Sequence, residues 1–421
     1  MLNVRLNVRV LVSTPAAPVL DEMRRTGAAE PGIARMMAKA EALAVAMEHI
    51  ERRQANLLKQ EMLAAGGDAA VHHGVCSEAV AETRVVLVGT RRQFTALEAR
   101  LAEEPLDLPA VGEFLRRALE AYARRRFEIP MGPHRLAVGP KPALMGIVNA
   151  TPDSFSGDGL AGDPDAAVAL GLRMAEAGAD LLDVGGESTR PGSESVAEDE
   201  ELRRVMPVVE ALARRVSIPI SIDTRRARVA REALAAGACL VNDTTALRGD
   251  PAMAATVAET GAAVVLMHMQ GEPKTMQDRP TYDNLMADIC RSLRESLALA
   301  AKAGVQEERI MLDPGIGFGK TLMDNLQILA RLGQLRTLGR PILVGPSRKR
   351  FIGDVTGVQA PAERIFGTAA ACAMAVAAGA LVVRVHDVPQ MRQALAVAGA
   401  IAEAGLPAAF PRRAEAGEAI S

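Results

Sequence analysis

From Ala143 onward the chain repeats one short pattern, and that repetition constrains its fold more than any other feature. Eight apolar runs end in polar residues: LMGIVN, DLLDVGG, PISID, CLVND, AVVLMHM, RIMLDPG, PILVG and LVVRVHD. Each is short and apolar enough to read as a buried parallel strand. Between them lie amphipathic helical stretches such as EDEELRRVMPVVEALARR. Such a series of strand–helix units over roughly 260 residues approaches the ~250 of a (β/α)8 TIM barrel. A doubly wound open sheet would show the same rhythm. The polar residues favour the barrel. Asn149, Asp183 with Glu187, Asp223, Asn242 with Asp243, His268, Asp313, Ser347 with Lys349, and Arg384 with His386 all stand at the carboxyl ends of the runs. In a barrel those ends converge on one mouth. Ordinary polar loops explain any one position, but they explain the ring poorly, because an unpaired polar group inside an apolar run costs a few kcal/mol.

At 421 residues the chain exceeds one ordinary core, and its first part follows a different pattern. Leu2, Val4, Leu6, Val8, Val10 and Val12 alternate as in a half-buried strand, and the tandem LNVR is a duplication too short to make a repeat architecture. Residues from about Pro31 to Ala65 read as one long helix ending at Gly66-Gly67. Strands are expected at Ala69–Val75 and Val85–Val88, and helices at Arg92–Glu103 and Pro109–Arg125. The expected class is therefore α/β: a small α/β domain over 1–130, a connection over 131–142 within the Pro- and Gly-rich IPMGPHRLAVGPKP, the barrel over 143–408, and a tail over 409–421.

Composition excludes several function classes. A net charge of -2, a pI near 6.4 and the absence of Trp argue against nucleic acid as a partner. The N-terminus alternates apolar residues with Arg and Asn and so differs from a signal peptide. The Ala-rich run Thr368–Val385 breaks from helix to strand at Gly379 and carries Arg384, which argues against a membrane span. Cys76, Cys239, Cys290 and Cys372 are scattered, which disfavours disulfides and zinc and suggests a reducing, cytoplasmic setting. His72, His73 and Cys76 approach metal spacing but lack a second pair.

The stretch DPGIGFGKT, Asp313 to Thr321, imitates a nucleotide loop. A Walker loop needs glycine where Pro314 stands, and proline has no N–H to offer a phosphate. The pattern G-x-G-x-x-G fails too, since Lys320 occupies its last position.

The mouth residues suggest their own chemistry. Asp223, Asn242 and Asp313 can grip a planar heterocycle, because a carboxylate accepts two parallel N–H bonds from an amidine-like edge. A structural cap is the alternative for any one of them. Arg190, Lys349, Arg384 and His386 suit an anionic group such as diphosphate. Alternation in the last strand puts Arg384 and His386 on one face. Arg348 and Arg350 read instead as surface cations paired with acidic neighbours. Asn149, in VNATPDSF, could complete a Mg2+ site built mostly from substrate oxygens and water, or serve the fold alone.

In order along the chain, MGIVNATPDSFS, LLDVGGESTRPGS, SIDT, VND, LMHMQGEPKTMQ, DPGIGFGKT, VGPSRKRFIG and RVHDV resemble the motif series of the dihydropteroate synthases, over about Ala143 to Gly405. The resemblance implies condensation of (7,8-dihydropterin-6-yl)methyl diphosphate with 4-aminobenzoate to 7,8-dihydropteroate and diphosphate, with Mg2+. It also implies a homodimer and a sulfonamide target. Asp223, Asn242, Asp313 and Lys349, with Met267 and Gly345, match the pterin set. Asn149, Thr189, Arg190, Arg384 and His386 match the diphosphate set, with Asn149 at the metal. Thr189, Arg190, Pro191, Phe318 and Ser347 match the aminobenzoate set. Asp223, Asp313, Lys349, Arg384 and His386 are the implied catalytic residues. The first loop reads DSFSGDG where the family more often has DSFSDGG, which shifts Asp158, and Ala150 replaces a commonly larger apolar residue. A methyltransferase acting on methyltetrahydrofolate could share the Asp/Asn/Asp grip. STRPG, SRK and RVHDV separate the two, having no role in methyl transfer. A non-catalytic pterin binder would have no need of a diphosphate site. The first 130 residues have no counterpart in the minimal family architecture, and packing or oligomerisation is their expected role.

Overall fold

The computed structural model describes residues 17–151, 163–187, 196–271, 276 and 280–405. They form two compact units, 17–119 with 403–405, and 120–402. The strand expected over Leu2–Val12, Asp158, Thr189, Arg190, Pro191 and the tail from 409 lie outside the described residues.

The first unit runs α1 (Ala17–Arg25), α2 (Glu30–Ala40), β1 (Ala42–Glu51), α3 (Arg52–Ala64), β2 (Asp68–Val71), β3 (Glu82–Thr90), α4 (Arg91–Leu101) and α5 (Leu108–Ala123), the last crossing into the second unit. The single helix expected over Pro31–Ala65 is thus helix, strand, helix. Alanine concealed the strand. In ALAVAME, Leu43, Val45 and Met47 are half-buried while Ala42, Ala44 and Ala46 are exposed, a period of two that only a pleated strand produces. Antiparallel pairing with β3 overrides the helical preference of alanine. The α3 helix then starts afresh at Glu51, whose carboxylate accepts the N–H groups of Arg53 and Gln54 while the Gln54 side chain accepts that of Glu51. The sheet order is β1-β3-β2, and Leu58, Met62, Phe94 and Leu97 pack with Val85 and Leu87. The second strand is shorter than Ala69–Val75, because His72 Nδ1 accepts the Gly74 N–H at 3.0 Å and turns the chain.

The segment expected as a connection is a hairpin, β4 (Phe127–Met131) with β5 (His134–Val138). The barrel follows in strands β6 (Ala143–Asn149), β7 (Leu181–Gly185), β8 (Ile220–Asp223), β9 (Leu240–Asp243), β10 (Ala263–Met267), β11 (Ile310–Asp313), β12 (Leu343–Val344) and β13 (Val382–Val385). Around them lie α6 (Pro164–Glu176), α7 (Glu198–Ala213), α8 (Ala227–Ala235), α9 (Met253–Thr260), α10 (Leu285–Ala303), α11 (Leu322–Arg331), α12 (Arg350–Thr356), α13 (Ile365–Ala378) and α14 (Val388–Ala404). All eight strands are parallel to their neighbours, in order β11-β10-β9-β8-β7-β6-β13-β12. A parallel bridge from Leu312 to Ile342 closes the ring. The structure is a TIM barrel.

Alternation along these short strands sorts the residues by depth and side. Leu182, Val184, Ile222, Val241, Val264, Leu312 and Val383 pack in the cluster shared with the outer helices. Met145, Leu181, Leu240, Val265, Met311, Leu343 and Val382 cluster inside with Phe127, Ile129, Met131, Leu136 and Val138 of the hairpin. The hairpin therefore plugs the amino-terminal end of the barrel with apolar side chains. Further along β7, β8, β9 and β11 the lining becomes polar, with Asp183, Ser221, Asp223, Asn242 and Asp313 all buried. Among the described residues no helix is long and apolar enough to cross a membrane, and the four cysteines are free.

Candidate active site

The polar layer is assembled by strand register. Asp183 lies opposite Ser221 in the next strand, and Asp223 opposite Asn242. Asp183 is fully buried, Asn242 is 5% exposed, and Asp223 and Asp313 are 9% and 7% exposed. Arg384, projecting from β13, crosses the interior to these carboxylates. Its Nε donates to Asp183 Oδ2 at 2.6 Å and its Nη2 to Asp223 Oδ2 at 2.7 Å. Asn242 Nδ2 donates to the same Asp183 oxygen at 2.9 Å. Asp183, Asp223, Asn242 and Arg384 thus form one network. The sequence marked Asp183 as polar at a strand end but assigned it no role. Its inward place in L-L-D-V-G is the signal that reveals it. Asp183 Oδ1 and Ser221 Oγ are buried with no hydrogen-bond partner among the described residues, so this layer has capacity for a polar ligand edge or water.

Burial governs the electrostatics. It pushes Asp223 up to about 7, against the pull of Arg384 and with help from the charges of Asp183 and Glu201. It raises Asp313 as well, opposed by the Gly315 N–H at 2.7 Å and by Lys349 and Lys320. For Arg384, burial is the largest influence and opposes its charge, yet Asp183 and Asp223 together outweigh it and raise the pKa.

The remaining expected residues fall around this centre. Met267 ends β10 opposite Asp313 and is 4% exposed. Gly345 faces the Arg384 side chain, where a Cβ would sit 3.7 Å from its Cβ. Asn149, half-buried, ends β6 opposite Gly185. Lys349 stands at the start of α12 with its Nζ 4.0 Å from the centroid of the Phe318 ring. Ser347 and His386 form a pair, Oγ to Nδ1 at 3.0 Å, and the His386 N–H donates to the same Oγ. The structure therefore gathers Asp223, Asn242, Asp313, Arg384, Met267 and Gly345 at one mouth, with Ser347, His386, Lys349 and Phe318 on its β11–β13 side. The described residues include no group of three or more His, Cys, Asp and Glu able to hold a metal, around His72 or elsewhere.

Three clamps hold the loops, and sequence reasoning assigned none of them. Arg348 was read as a surface cation. It instead pairs bidentately with Asp387, at 2.9 and 2.5 Å, with both side chains 10% exposed. Its φ of 58° is unusual for a non-glycine residue, so the loops after β12 and β13 are locked together through a strained position. Arg350 does fit the surface reading, 91% exposed and 3.6 Å from Asp354. Arg226 reaches Glu187 at 2.9 Å, buried Glu201, and the Val196 carbonyl, and so ties down both flanks of residues 188–195. Lys320, 3% exposed, binds His268 and Phe318. Each clamp joins residues distant in sequence, and no local pattern signals such a partner.

A TIM barrel with carboxylates, an amide and an arginine converging at the carboxyl ends of its strands defines a class of enzyme that grips a small polar ligand in its mouth. The family model for pterin binding enzymes matches residues 145–386, and the chain belongs to that family. It is 45% identical over 273 residues to a dihydropteroate synthase of Synechocystis sp., an alignment covering 65% of this chain and 94% of that one. A solved dihydropteroate synthase of Xanthomonas albilineans with 4-aminobenzoic acid is 47% identical, with a TM-score of 0.61 over 66% of this chain and 98% of that one. A haloarchaeal protein of Haloferax volcanii, named "Probable bifunctional folylpolyglutamate synthase/dihydropteroate synthase", is 41% identical over 359 residues, 83% of this chain and 42% of that one. That alignment is longer than the barrel unit, so it takes in part of the N-terminal unit.

Proposed function

We infer that the chain is a transferase of folate synthesis, condensing (7,8-dihydropterin-6-yl)methyl diphosphate with 4-aminobenzoate to give 7,8-dihydropteroate and diphosphate. The observation that carries this reading is the buried Asp183–Arg384–Asp223–Asn242 network beside Asp313, set in a chain similar to dihydropteroate synthases along the whole barrel. Asp223, Asn242 and Asp313 grip the pterin edge, with Met267 and Gly345 beside it and Lys349 across it. When the pterin arrives, its donors compete with Arg384 for Asp223, which releases the guanidinium toward the diphosphate with His386 beside it. The C–O bond to diphosphate breaks, and Asp223 and Asp313 stabilise the pterin-delocalised cation left behind. The neutral arylamine, framed by Phe318 and Ser347, with Thr189, Arg190 and Pro191 assigned to the same half by resemblance, attacks the methylene carbon and then gives up a proton to water or to the departing diphosphate. No strong general base is required.

The donor set fits Mg2+ carried largely by the substrate, since Asn149 offers one hard neutral oxygen at the end of β6 and Mg2+ keeps water and phosphate oxygens as its other ligands. Bound there, the ion would neutralise charge on the diphosphate. Asn149→Ala should raise the Mg2+ concentration needed for half-maximal activity, and chelation should silence the enzyme reversibly. We further propose a homodimer. Phe366 and Met374 on α13 and Val355 on α12 are 88%, 64% and 60% exposed, and exposed apolar side chains of this size suit contact with a second copy. Free, scattered cysteines suit a reducing cytoplasm.

The test is incorporation of isotopically labelled 4-aminobenzoate. Label appearing in 7,8-dihydropteroate when the pterin diphosphate is present supports the reading. Pterin bound with no label incorporated would contradict it.

A further inference from the structure

Lys320 is an anomaly that the reaction as described does not use. It is 3% exposed, and its three ammonium donors point to uncharged acceptors: His268 Nδ1 at 3.1 Å, the His268 carbonyl at 3.3 Å and the Phe318 carbonyl at 2.9 Å. A buried ammonium is costly unless every donor is satisfied, and burial accordingly lowers the Lys320 pKa to about 7, with the charge of Asp313 opposing the fall. His268 can accept at Nδ1 because burial, then the Lys320 charge, lowers its pKa to about 2 and keeps the ring neutral.

The local backbone shows what the lysine joins. The loop after β11 lies flat on the chain leaving β10: a Cβ at Gly315 would fall 2.0 Å from the His268 carbonyl oxygen, and one at Gly319 would fall 2.4 Å from that of Gln270. Across this close approach the Lys320 amine binds one backbone carbonyl from each side, His268 and Phe318. Through the Phe318 carbonyl it also anchors the backbone that carries the Phe318 ring, above which the Lys349 ammonium sits at 4.0 Å.

We propose that Lys320 is a positioning residue for the arylamine half of the site, holding the backbone of Phe318 where its ring frames 4-aminobenzoate. The inference rests on the synthase reading above. It predicts a selective defect. A hydrogen bond from a charged donor is worth enough that Lys320→Met should raise the KM for 4-aminobenzoate ~10-fold or more. The KM for the pterin diphosphate should rise less, because the carboxylates that grip it lie on the strands themselves and feel Lys320 only through its charge on Asp313.

The experiment is a double-variant cycle of Lys320→Met with Phe318→Ala, with both KM values and kcat measured. Wild-type product formation serves as the control, because its absence would refute the synthase reading and not this inference. The expected result is an arylamine-selective rise in K320M that adds nothing further once Phe318 is alanine. Lys320→Gln, which keeps two N–H donors, should recover part of the loss. Additive effects, equal rises in both KM values, or unchanged kinetics in K320M would overturn the proposal. If K320M does not fold, the same cycle is run with K320Q, and failure of both to fold would mark Lys320 as purely structural and overturn it equally.

Discussion

Asp223 carries Arg384 Nη2 at 2.7 Å from its Oδ2, yet burial still lifts its pKa to about 7. The acid is ionised above that value and protonated below it. Only the carboxylate accepts two N–H bonds from a pterin edge, so affinity for a pterin should fall as pH drops through about 7. Asp313 is shifted in the same direction and reinforces the trend. Calorimetric titration of a dihydropterin across that range checks it: the wild type should lose affinity on the acid side, while Asp223→Asn should bind weakly with most of the pH dependence gone. An Asp313→Ala variant should lose ~1.5–3 kcal/mol of transition-state stabilisation, roughly ten- to more than a hundredfold in kcat/KM. Unchanged kinetics would remove Asp313 from the site. These aspartates were legible in the sequence because they interrupt apolar runs. Asp183 was half-legible, its position clear and its partners hidden. Lys320, Arg226 and the Arg348–Asp387 pair were illegible as clamps, since each acquires its meaning only from a residue on another loop.

At the scale of elements, the eight barrel strands were readable because a buried parallel strand has few ways to appear in sequence. The hairpin of β4 and β5 was not. Pro130, Gly132 and Pro133 give it the composition of a connection, yet Ile129 and Met131 are fully buried among inward residues of the barrel strands. Ile129→Ala should therefore cost about 2–5 kcal/mol of stability, read as a shift in the denaturation midpoint. A chain begun at Ala143 should fail to fold cooperatively, whereas one begun at Glu120 should fold. The glycines of the β11 loop give a second check. Gly319 has φ +61° and its missing Cβ would fall 2.4 Å from the Gln270 carbonyl oxygen, so Gly319→Ala should disrupt the loop and depress activity far more than it lowers the melting temperature. The strand β1 was misread for the opposite reason. Its alanines favour helix in isolation, and only its pairing with β3 reveals the period of two.

At the scale of the whole molecule, the apolar surface of α12 and α13 and the N-terminal unit are what the barrel alone does not explain. Phe366, 88% exposed on α13, is the position at which to test assembly. Phe366→Asp should convert the proposed dimer to monomer in sedimentation while leaving the barrel folded, and a wild-type chain that sediments as a monomer, or an unchanged sedimentation coefficient in the variant, would count against that face. The account stands or falls on the chemistry at the mouth. The most direct measurement is diphosphate release by the full chain supplied with the dihydropterin diphosphate and Mg2+, with and without 4-aminobenzoate, alongside dihydropteroate formed. The account predicts release that depends on the arylamine and matches product mole for mole. Pterin binding without arylamine-dependent release would contradict it.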